Sequence, residues 1–344
     1  MNKTRIKFSL GLVVMIALLA AVIGVVGGRA STDSGSGGGS GGASKVGDKR
    51  VDVIIKASDS QFWQTMLAGA KKAGGDFGVD VSLFGPTQET DVAEQVQLME
   101  NSISRGVDAI AIATNSSDGL NDVIDRARKE GIKVLIVDNA VTTESDGFIG
   151  TDSVKAGETA GRHFCQLLEK RGRTKGSVMI ESSVAGIQVL KDRDAGFKQG
   201  MAATCPDVKV GPQRYNNNDI NTAASQVNDA ITSNKDLLGV FADNNVSGSG
   251  AARAIKDNKA TDRLPVVAFD SDPQENAALA DGSIDALMVQ NPYFFGYQGV
   301  IEAAMAAVGN DPPAKLDPGA VLVTKSNMNR PEVKRLLEPP VEKL

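Results

Sequence analysis

The stretch from Pro265 to Asp272 reads PVVAFDSD and carries the pattern that decides the fold. Four apolar residues, Val266 to Phe269, run directly into one aspartate, and a second aspartate follows two residues later. An unbroken apolar run of this length is typical of a strand that is buried on both faces of a sheet. The same pattern ends VLIVDN at Asp138 and Asn139, GVFADNN at Asp243, Asn244 and Asn245, and ALMVQN at Gln290 and Asn291. The chain therefore repeats one local structure, a buried strand that ends on acids and amides.

Segments with helical spacing alternate with these strands. Gln61 to Phe77, for example, places Phe62, Met66 and Ala70 on one helical face. Strict alternation with near-continuous apolar strands predicts parallel sheets that are covered by helices on both faces. One such series precedes about residue 152 and another follows it, with about eleven strands in all, which is too many for one sheet. The sequence predicts an α/β protein with two doubly wound, Rossmann-like parallel-sheet lobes.

The first fifty residues differ in composition from the rest. MNKTRIK is positively charged, and an uncharged apolar run from Phe8 to Val26 follows it. This order predicts an export signal in residues 1–30, although the run is also long enough to remain as an uncleaved membrane anchor. Residues 31–49 are rich in Gly and Ser and predict a flexible linker. In both cases we expect the folded part to lie outside the cytoplasmic membrane, in the periplasm or its equivalent.

Composition excludes several classes of function. The net charge is −5, and the folded part has no basic block, so nucleic acid is not an expected partner. The single histidine, His163, lies in the middle of a predicted helix and is interpreted as structural. One histidine leaves little basis for a His-ligated zinc site or a Ser-His-Asp triad. We therefore expect no metal, no cofactor and no enzymatic activity.

Two other α/β classes fit the sequence poorly. VSGSGAARA, Val246 to Ala254, follows a strand and opens a helix, as a dinucleotide-binding turn does. Arg253 stands at the third glycine position, and no acid follows at the required distance, so this is interpreted as a helix start with small residues. A transcription regulator would need an N-terminal helix-turn-helix, where this chain has the export segment.

Cys165 and Cys205 lie forty residues apart, without the spacing of a metal site. Two buried free thiols and one disulfide both fit this separation, since pairing cannot be deduced from spacing. We expect free thiols, with the disulfide as the alternative.

The polar strand ends predict where a ligand binds. In open α/β sheets, ligands bind at the carboxyl ends of the strands, and facing lobes would collect these side chains in a cleft. Carboxylates and amides suit hydroxyl groups, and the rings of Phe62 and Trp63 suit the C–H faces of a sugar. Arg193, at a helix start, adds a forked donor. Taken singly, each residue has a structural interpretation: Asp138 and Asp270 as caps, the two aromatics as core, and Arg193 as surface.

Seven segments resemble, in this order, the ribose-binding-protein group of periplasmic sugar-binding proteins: SDSQFWQTMLAGAKKAG, VDNA, FIGTDSVKAG, LKDRDAGFKQG, VFADNN, AFDSDPQ and VQNPYFFGYQG. The resemblance covers roughly residues 50–330. It implies the type I periplasmic binding protein fold, in which two lobes are joined by a three-crossover hinge. The implied N-terminal lobe combines 50–152 with 291–319, and the C-terminal lobe combines 153–290 with 320–344.

The resemblance also implies a set of ligand contacts: Ser60, Phe62, Trp63, Asp138, Asn139, Arg193, Asn218, Asn244, Asp270 and Gln290. Four positions depart from the family pattern, and the first is Ser60, which stands where the family has an asparagine. Asn139 replaces an arginine, and Ala113 replaces an asparagine. Asn218 lies nearest the place of a second-lobe aromatic, where only Tyr215 is aromatic. Despite these departures, the resemblance implies the general role of a sugar receptor. Because of them, it does not imply which sugar is bound.

By this resemblance the chain is an extracytoplasmic receptor that binds a monosaccharide, a pentose or a hexose, and delivers it to the permease of an ABC-type importer. The family implies a monomer whose only membrane contact is the N-terminal segment, residues 8–26 if it stays as an anchor. Two alternatives remain open: a sugar or polyol sensor that feeds a signalling receptor, and a receptor for a small solute that is not a carbohydrate.

Overall fold

The computed structural model of the protein describes residues 45–339. The predicted export signal or anchor, and the linker up to residue 44, lie outside the described residues. Within 45–339, no helix combines the length and the apolar character that a membrane crossing requires.

The first sheet is entirely parallel and has the strand order β2-β1-β3-β4-β5. Its strands are β1 Arg50–Ile54, β2 Asp80–Phe84, β3 Ala109–Ala113, β4 Lys133–Val137 and β5 Gly147–Ile149. The connecting helices are α1 Gln61–Phe77, α2 Val92–Arg105 and α3 Asn121–Lys129. In β3, AIAIA turns its two isoleucines to the α2 and α3 side and its alanines to the α1 side, so both faces are buried.

The second sheet repeats this order and adds one edge strand. Its strands are β6 Gly176–Ser182, β7 Val208–Tyr215, β8 Leu237–Ala242, β9 Val266–Phe269, β10 Ala286–Val289 and β11 Val321–Thr324. Its helices are α4 Ser153–Lys170, α5 Gln188–Thr204, α6 Ile220–Ser233, α7 Asn245–Asp257 and α8 Pro273–Asp281. The order is β11-β10-β9-β8-β6-β7, with only β11 antiparallel. The prediction of two doubly wound lobes is confirmed.

The chain passes between the two sheets three times. It leaves β5 for α4, returns from β10 into α9 Pro292–Ala307, and runs past Leu316, which bridges to Ile149, into β11. Helix α9 packs on α1 so closely that a Cβ on Gly296 would lie 1.8 Å from the Met66 carbonyl oxygen. Glycine is therefore required there, and α9 is fixed to the first sheet although it follows the second in sequence. The residue boundaries of the lobes stay a prediction.

Cys165 and Cys205 form a disulfide, which corrects the prediction of two free thiols. Cys165 lies in α4 and Cys205 follows the last residue of α5, and their Cα atoms are 5.8 Å apart. The two helices approach closely because Gly161 of α4 faces the backbone of α5, where a Cβ would lie 2.4 Å from the Phe197 carbonyl oxygen. This packing brings the sulfurs together, and spacing along the chain does not reveal it.

We expect opening of this disulfide to destabilise the protein. The bond closes a loop of 40 residues, and releasing it returns entropy to the unfolded chain, which lowers the free energy of unfolding by about 2–4 kcal/mol. Urea unfolding of the oxidised protein with and without dithiothreitol measures this change. The Cys165→Ala, Cys205→Ala double variant is the control and should not respond to the reductant. An unchanged midpoint for the wild type, with both thiols shown to be reduced, would contradict the prediction.

Candidate functional site

The carboxyl ends of strands from both sheets meet around a small cavity of about 30 Å³, called here the inner pocket. The first lobe contributes Lys56, Phe62, Trp63, Glu89 and Asp138. The second contributes Ile187, Val189, Leu190, Arg193, Asn244, Asn245 and Asp270. The polar strand ends that stand out in the sequence therefore come together, as ligand sites in open α/β sheets do.

Asp138 and Asp270 occupy equivalent places in the two lobes. Each follows the fourth strand of its sheet, and their φ angles of 64° and 75° lie in the left-handed region. Their backbone N–H groups donate to the Ile149 and Met288 carbonyls at 2.8 Å, which continues the strand pairing for one residue. A non-glycine residue in this region costs roughly 1–3 kcal/mol and is typical of ligand clamps. Both carboxylates are buried.

A buried lysine compensates the charge of Asp138. Lys56 Nζ lies 2.7 Å from Asp138 Oδ2, and each side chain is 4% exposed. The same ammonium lies 5.2 Å from the centroid of the Trp63 ring, a distance that suits a cation–π contact. The first lobe thus presents an ion pair beside an aromatic wall.

Arg193 connects the second lobe with the first. Its Nη1 donates to the Asp243 carbonyl at 2.7 Å and lies 3.7 Å from Asp270 Oδ2, while Nη2 lies 4.0 Å from Asp138 Oδ1. Gln290 Nε2 donates to the other Asp270 oxygen at 2.6 Å. Burial raises the pKa of Asp270 to about 6, and Arg193 acts in the opposite direction. One guanidinium therefore serves carboxylates of both lobes.

Two apolar walls complete the pocket. Phe62 and Trp63 form one wall, with ring centroids 4.7 Å apart in an edge-to-face arrangement. The other wall is the buried apolar cluster of Ile187, Val189 and Leu190. Trp63 Nε1 donates to Glu89 Oε1 at 2.6 Å, and burial raises the pKa of Glu89. Apolar faces with charged groups around the edge match a sugar ring, whose C–H faces are apolar and whose hydroxyls point outward.

Nine of the ten predicted residues divide into three groups. Phe62, Trp63, Asp138, Arg193, Asn244 and Asp270 line the inner pocket. Gln290 lies behind it and binds the Asp270 carboxylate. Ser60 and Asn218 lie further out, at a larger cavity toward the mouth of the cleft. Their contact with a ligand stays a prediction.

Asn139 lies elsewhere, between the lobes. Its Nδ2 donates to Thr114 Oγ1 at 3.1 Å, and its Oδ1 accepts from the Val189 backbone N–H at 3.1 Å. Beside it, the Gln188 N–H donates to Ser117 Oγ at 3.1 Å. These hydrogen bonds join the first lobe to the first turn of α5. In this arrangement the Asn139 amide holds the lobes together, and its predicted contact with a ligand stays a prediction.

Sequence reasoning missed Lys56, Glu89 and the apolar wall at 187–190. The strand-end pattern could have found the first two, because VDVIIK ends on Lys56 and Glu89 lies in the loop after the next strand. The apolar wall carries no such signal, since hydrophobic residues at the start of a helix are usually core. Among the described residues, Cys165, Glu169 and Cys205 form a cluster of potential metal ligands, but both sulfurs belong to the disulfide.

Comparisons with known proteins agree on one family. The family model described as "periplasmic binding protein domain" matches residues 51–311. The ribose import binding protein of Escherichia coli is 25% identical over 286 residues, which cover 82% of this chain and 93% of that protein. The D-allose-binding periplasmic protein of the same organism is also 25% identical, over 72% of this chain and 81% of that protein.

Solved structures are closer in sequence. A carbohydrate transporter solute binding protein from Agrobacterium radiobacter, in complex with D-arabinose, has a TM-score of 0.82 and 33% identity over 84% of this chain and 98% of that one. An ABC transporter solute binding protein from Agrobacterium vitis with bound D-fucose has a TM-score of 0.79 and 30% identity, over 84% and 99%.

Behind the site, the second lobe buries further carboxyl groups. Glu181 in β6 accepts from Asn216 Nδ2 at 2.9 Å, and burial raises its pKa to about 8. Asp243 accepts from Ser182 and Ser183, and burial also raises its pKa well above the usual value. These groups lie in an interior that favours their protonated forms.

We expect the free energy of unfolding to fall as the pH rises from about 5 to about 8. Glu181 binds its proton with a pKa of about 8 in the fold and 4.5 in the unfolded chain. Its contribution is therefore fully present below pH 4.5 and is lost as the pH rises through 8. Urea unfolding across this range measures the slope, and Glu181→Gln should reduce it.

Glu130→Gln is the matched control, because Glu130 is exposed on the first lobe and should leave the slope as it is. A slope that is the same in the wild type and in Glu181→Gln would contradict the assignment.

Proposed function

The chain belongs to the periplasmic binding protein family, and on this premise we propose that it is an extracytoplasmic solute receptor for a sugar. It binds a monosaccharide between its lobes, closes around it, and delivers it to the permease of an ABC-type importer. The observation that carries the proposal is the inner pocket, where two apolar walls and the strand-end carboxylates of both lobes surround one small space.

The sugar must enter while the lobes are apart. The inner pocket has a volume of about 30 Å³, which is one water molecule's share of liquid. In the open form Phe62 and Trp63 receive one face of the ring, and Asp138 accepts its hydroxyls. Closure of the C-terminal lobe onto the N-terminal lobe then brings Arg193, Asn244 and Asp270 to the opposite side of the ring. The sugar then stabilises the closed form by its greater affinity for it.

Hydroxyl geometry is the basis of selectivity. A buried polar group left without a partner costs about 1–3 kcal/mol, so an epimer with one misplaced hydroxyl binds much more weakly. Asp138, Asp270, Lys56 and Arg193 are buried charges around the pocket. The cost of an unpaired group therefore applies on every side of the ring. We propose a pentose or hexose as the ligand, because both ring types present hydroxyls around an apolar face.

The N-terminal segment fits this role outside the cytoplasm. We propose that residues 1–30 direct export and are then removed, or stay as an anchor from which 31–49 tether the receptor. We also propose that the receptor acts as a monomer, as the family resemblance implies.

We expect one or two sugars to stabilise residues 46–344 in a thermal unfolding panel. The panel contains D-ribose, D-arabinose, D-allose, D-fucose, D-tagatose and xylitol. A ligand at a hundred times its Kd adds ~2.7 kcal/mol to the free energy of unfolding, which is a visible shift. Folded protein that has been stripped of bound ligand and shifts with none of these would contradict the proposal.

We expect Asp270→Ala to weaken sugar binding on the order of 100-fold while the fold is kept. The change removes a hydroxyl acceptor and leaves Arg193 and Gln290 without their partner. Titration calorimetry with the stabilising sugar measures the loss, and circular dichroism checks the fold. Asp207→Ala, at an exposed position of the same lobe, is the control and should bind as the wild type does. Wild-type affinity in Asp270→Ala would remove Asp270 from the site.

A further inference from the structure

A second cavity of about 510 Å³ lies toward the mouth of the cleft and is called here the outer cavity. The first lobe lines it with the loops that follow β1 and β2. The second lobe lines it with the N-terminal ends of α6, α7 and α8. Glu89 and Asn245 line both cavities, so the outer cavity adjoins the inner pocket directly.

Lobe closure cannot eliminate the outer cavity. The lobes are already in contact further in, through Val189 N–H to Asn139 Oδ1, Gln188 N–H to Ser117 Oγ, and Arg193 beside Asp138. Further rotation would drive these contacts into one another, and a ring in the inner pocket would hold the lobes further apart. The volume of the outer cavity falls within the roughly 300–1,000 Å³ of small-molecule sites. The closed receptor therefore keeps room for more than one ring.

Backbone conformation and side-chain contacts fix the positions of Asn217 and Asn218, which line the outer cavity on the second-lobe side. Asn217 and Asn218 have φ angles of 54° and 59°, a conformation that asparagine tolerates better than most residues. Asn218 Oδ1 accepts from Ser183 Oγ and from Asn244 Nδ2, both at 3.0 Å. These bonds tie its side chain to the body of the second lobe.

The chemistry of the outer cavity differs from that of the inner pocket. Among the described residues, the charged side chains that line it are all acids, Asp59, Glu89, Asp219 and Asp272, with neither lysine nor arginine. Amide and hydroxyl side chains provide much of the remaining surface. Ser249 beside it is 8% exposed, and its hydroxyl has no hydrogen-bond partner among the described residues. Such a lining accepts hydrogen bonds from hydroxyls. Its carboxylates carry more charge than the partly positive N-terminal ends of α6, α7 and α8, so the cavity repels anions.

We propose that the outer cavity is a second sugar subsite and that a neutral two-ring glycoside binds this receptor more tightly than the monosaccharide that fills the inner pocket alone. One ring fills the inner pocket, and the second ring, or a hydroxylated group of similar size, occupies the outer cavity. The inference rests on the proposed function, because the first ring has to bind inside. It adds the substrate class: neutral glycosides are accepted, and sugars that carry a phosphate toward the mouth are rejected.

Calorimetry on matched sets of ligands tests the proposal. The monosaccharides are D-arabinose, D-xylose, D-glucose and D-galactose. Their two-ring partners are arabinobiose, xylobiose, cellobiose, maltose, lactose and melibiose, and their anionic partners are the sugar 1-phosphates. We expect at least one two-ring ligand to bind 10-fold or more tightly than its monosaccharide. We expect the corresponding 1-phosphate to bind 10-fold or more weakly than that monosaccharide.

A variant pair locates the effect. Gln88 is exposed at the rim of the outer cavity, and Gln88→Trp places an indole ring in part of this space from the first lobe. The ratio of the monosaccharide Kd to the two-ring Kd should fall to about one. Gln97→Trp, at an exposed position on α2 away from both cavities, is the control and should keep the wild-type ratio. An unchanged ratio in Gln88→Trp would overturn the placement of the subsite.

The remaining outcomes separate this inference from the function on which it rests. If a monosaccharide binds and none of its two-ring partners binds more tightly, the second subsite is wrong and the sugar receptor stands. If folded protein binds none of these sugars and none of the ligands in the thermal unfolding panel, the sugar-receptor proposal and the second subsite are both wrong.

Discussion

The structure depends on the burial of carboxylates at the carboxyl ends of parallel strands. A carboxylate in a low-dielectric interior needs a compensating cation or several hydrogen bonds, and otherwise takes up a proton. Asp138 has Lys56 in its own lobe, and Asp270 has Arg193 and Gln290. Arg193 also approaches Asp138 across the cleft. The electrostatics of the site are therefore complete only when the lobes meet, which couples the arrangement of the lobes to whatever lies between them.

The two lobes share a topology but contribute different side chains to the site. The first five strands of each sheet have the same order, and the fourth strand of each ends on a left-handed aspartate. The loops that follow have diverged. The first lobe supplies the aromatic wall and a lysine, and the second supplies the aliphatic wall and an arginine. A sugar ring has two different faces and an uneven set of hydroxyls, so this unequal pair of surfaces can recognise one orientation of one ring.

Features that depend on local pattern, such as helix bounds, are predicted from the sequence. Features that depend on long-range contacts, such as the disulfide, are not. Gln61–Phe77 has the predicted bounds, because apolar spacing and the following glycine define them. Helix α10, Pro331–Leu337, was missed, because it is short and only Val333 and Leu337 of its seven residues are buried. The disulfide depends on how two helices pack. The resemblance implies a ligand contact for Asn139, which stays a prediction, and the structure adds a contact of its amide with the opposite lobe, an interaction that no single-chain pattern contains. Lys56 is the opposite case: the strand-end pattern contains it, because VDVIIK ends on this residue, but it is absent from the predicted site.

Direct pairing inside the pocket determines what a ligand must do to bind. Each hydroxyl that reaches Asp138 or Asp270 replaces part of a contact that Lys56, Arg193 or Gln290 already makes. The sugar therefore gains only the difference between its own hydrogen bonds and those it displaces. For a ligand that matches every group, this difference is favourable, and the apolar walls add the burial of its C–H faces. For a ligand that misses one group, that buried group loses its hydroxyl partner, so the pocket discriminates between epimers through the cost of an unpaired polar group.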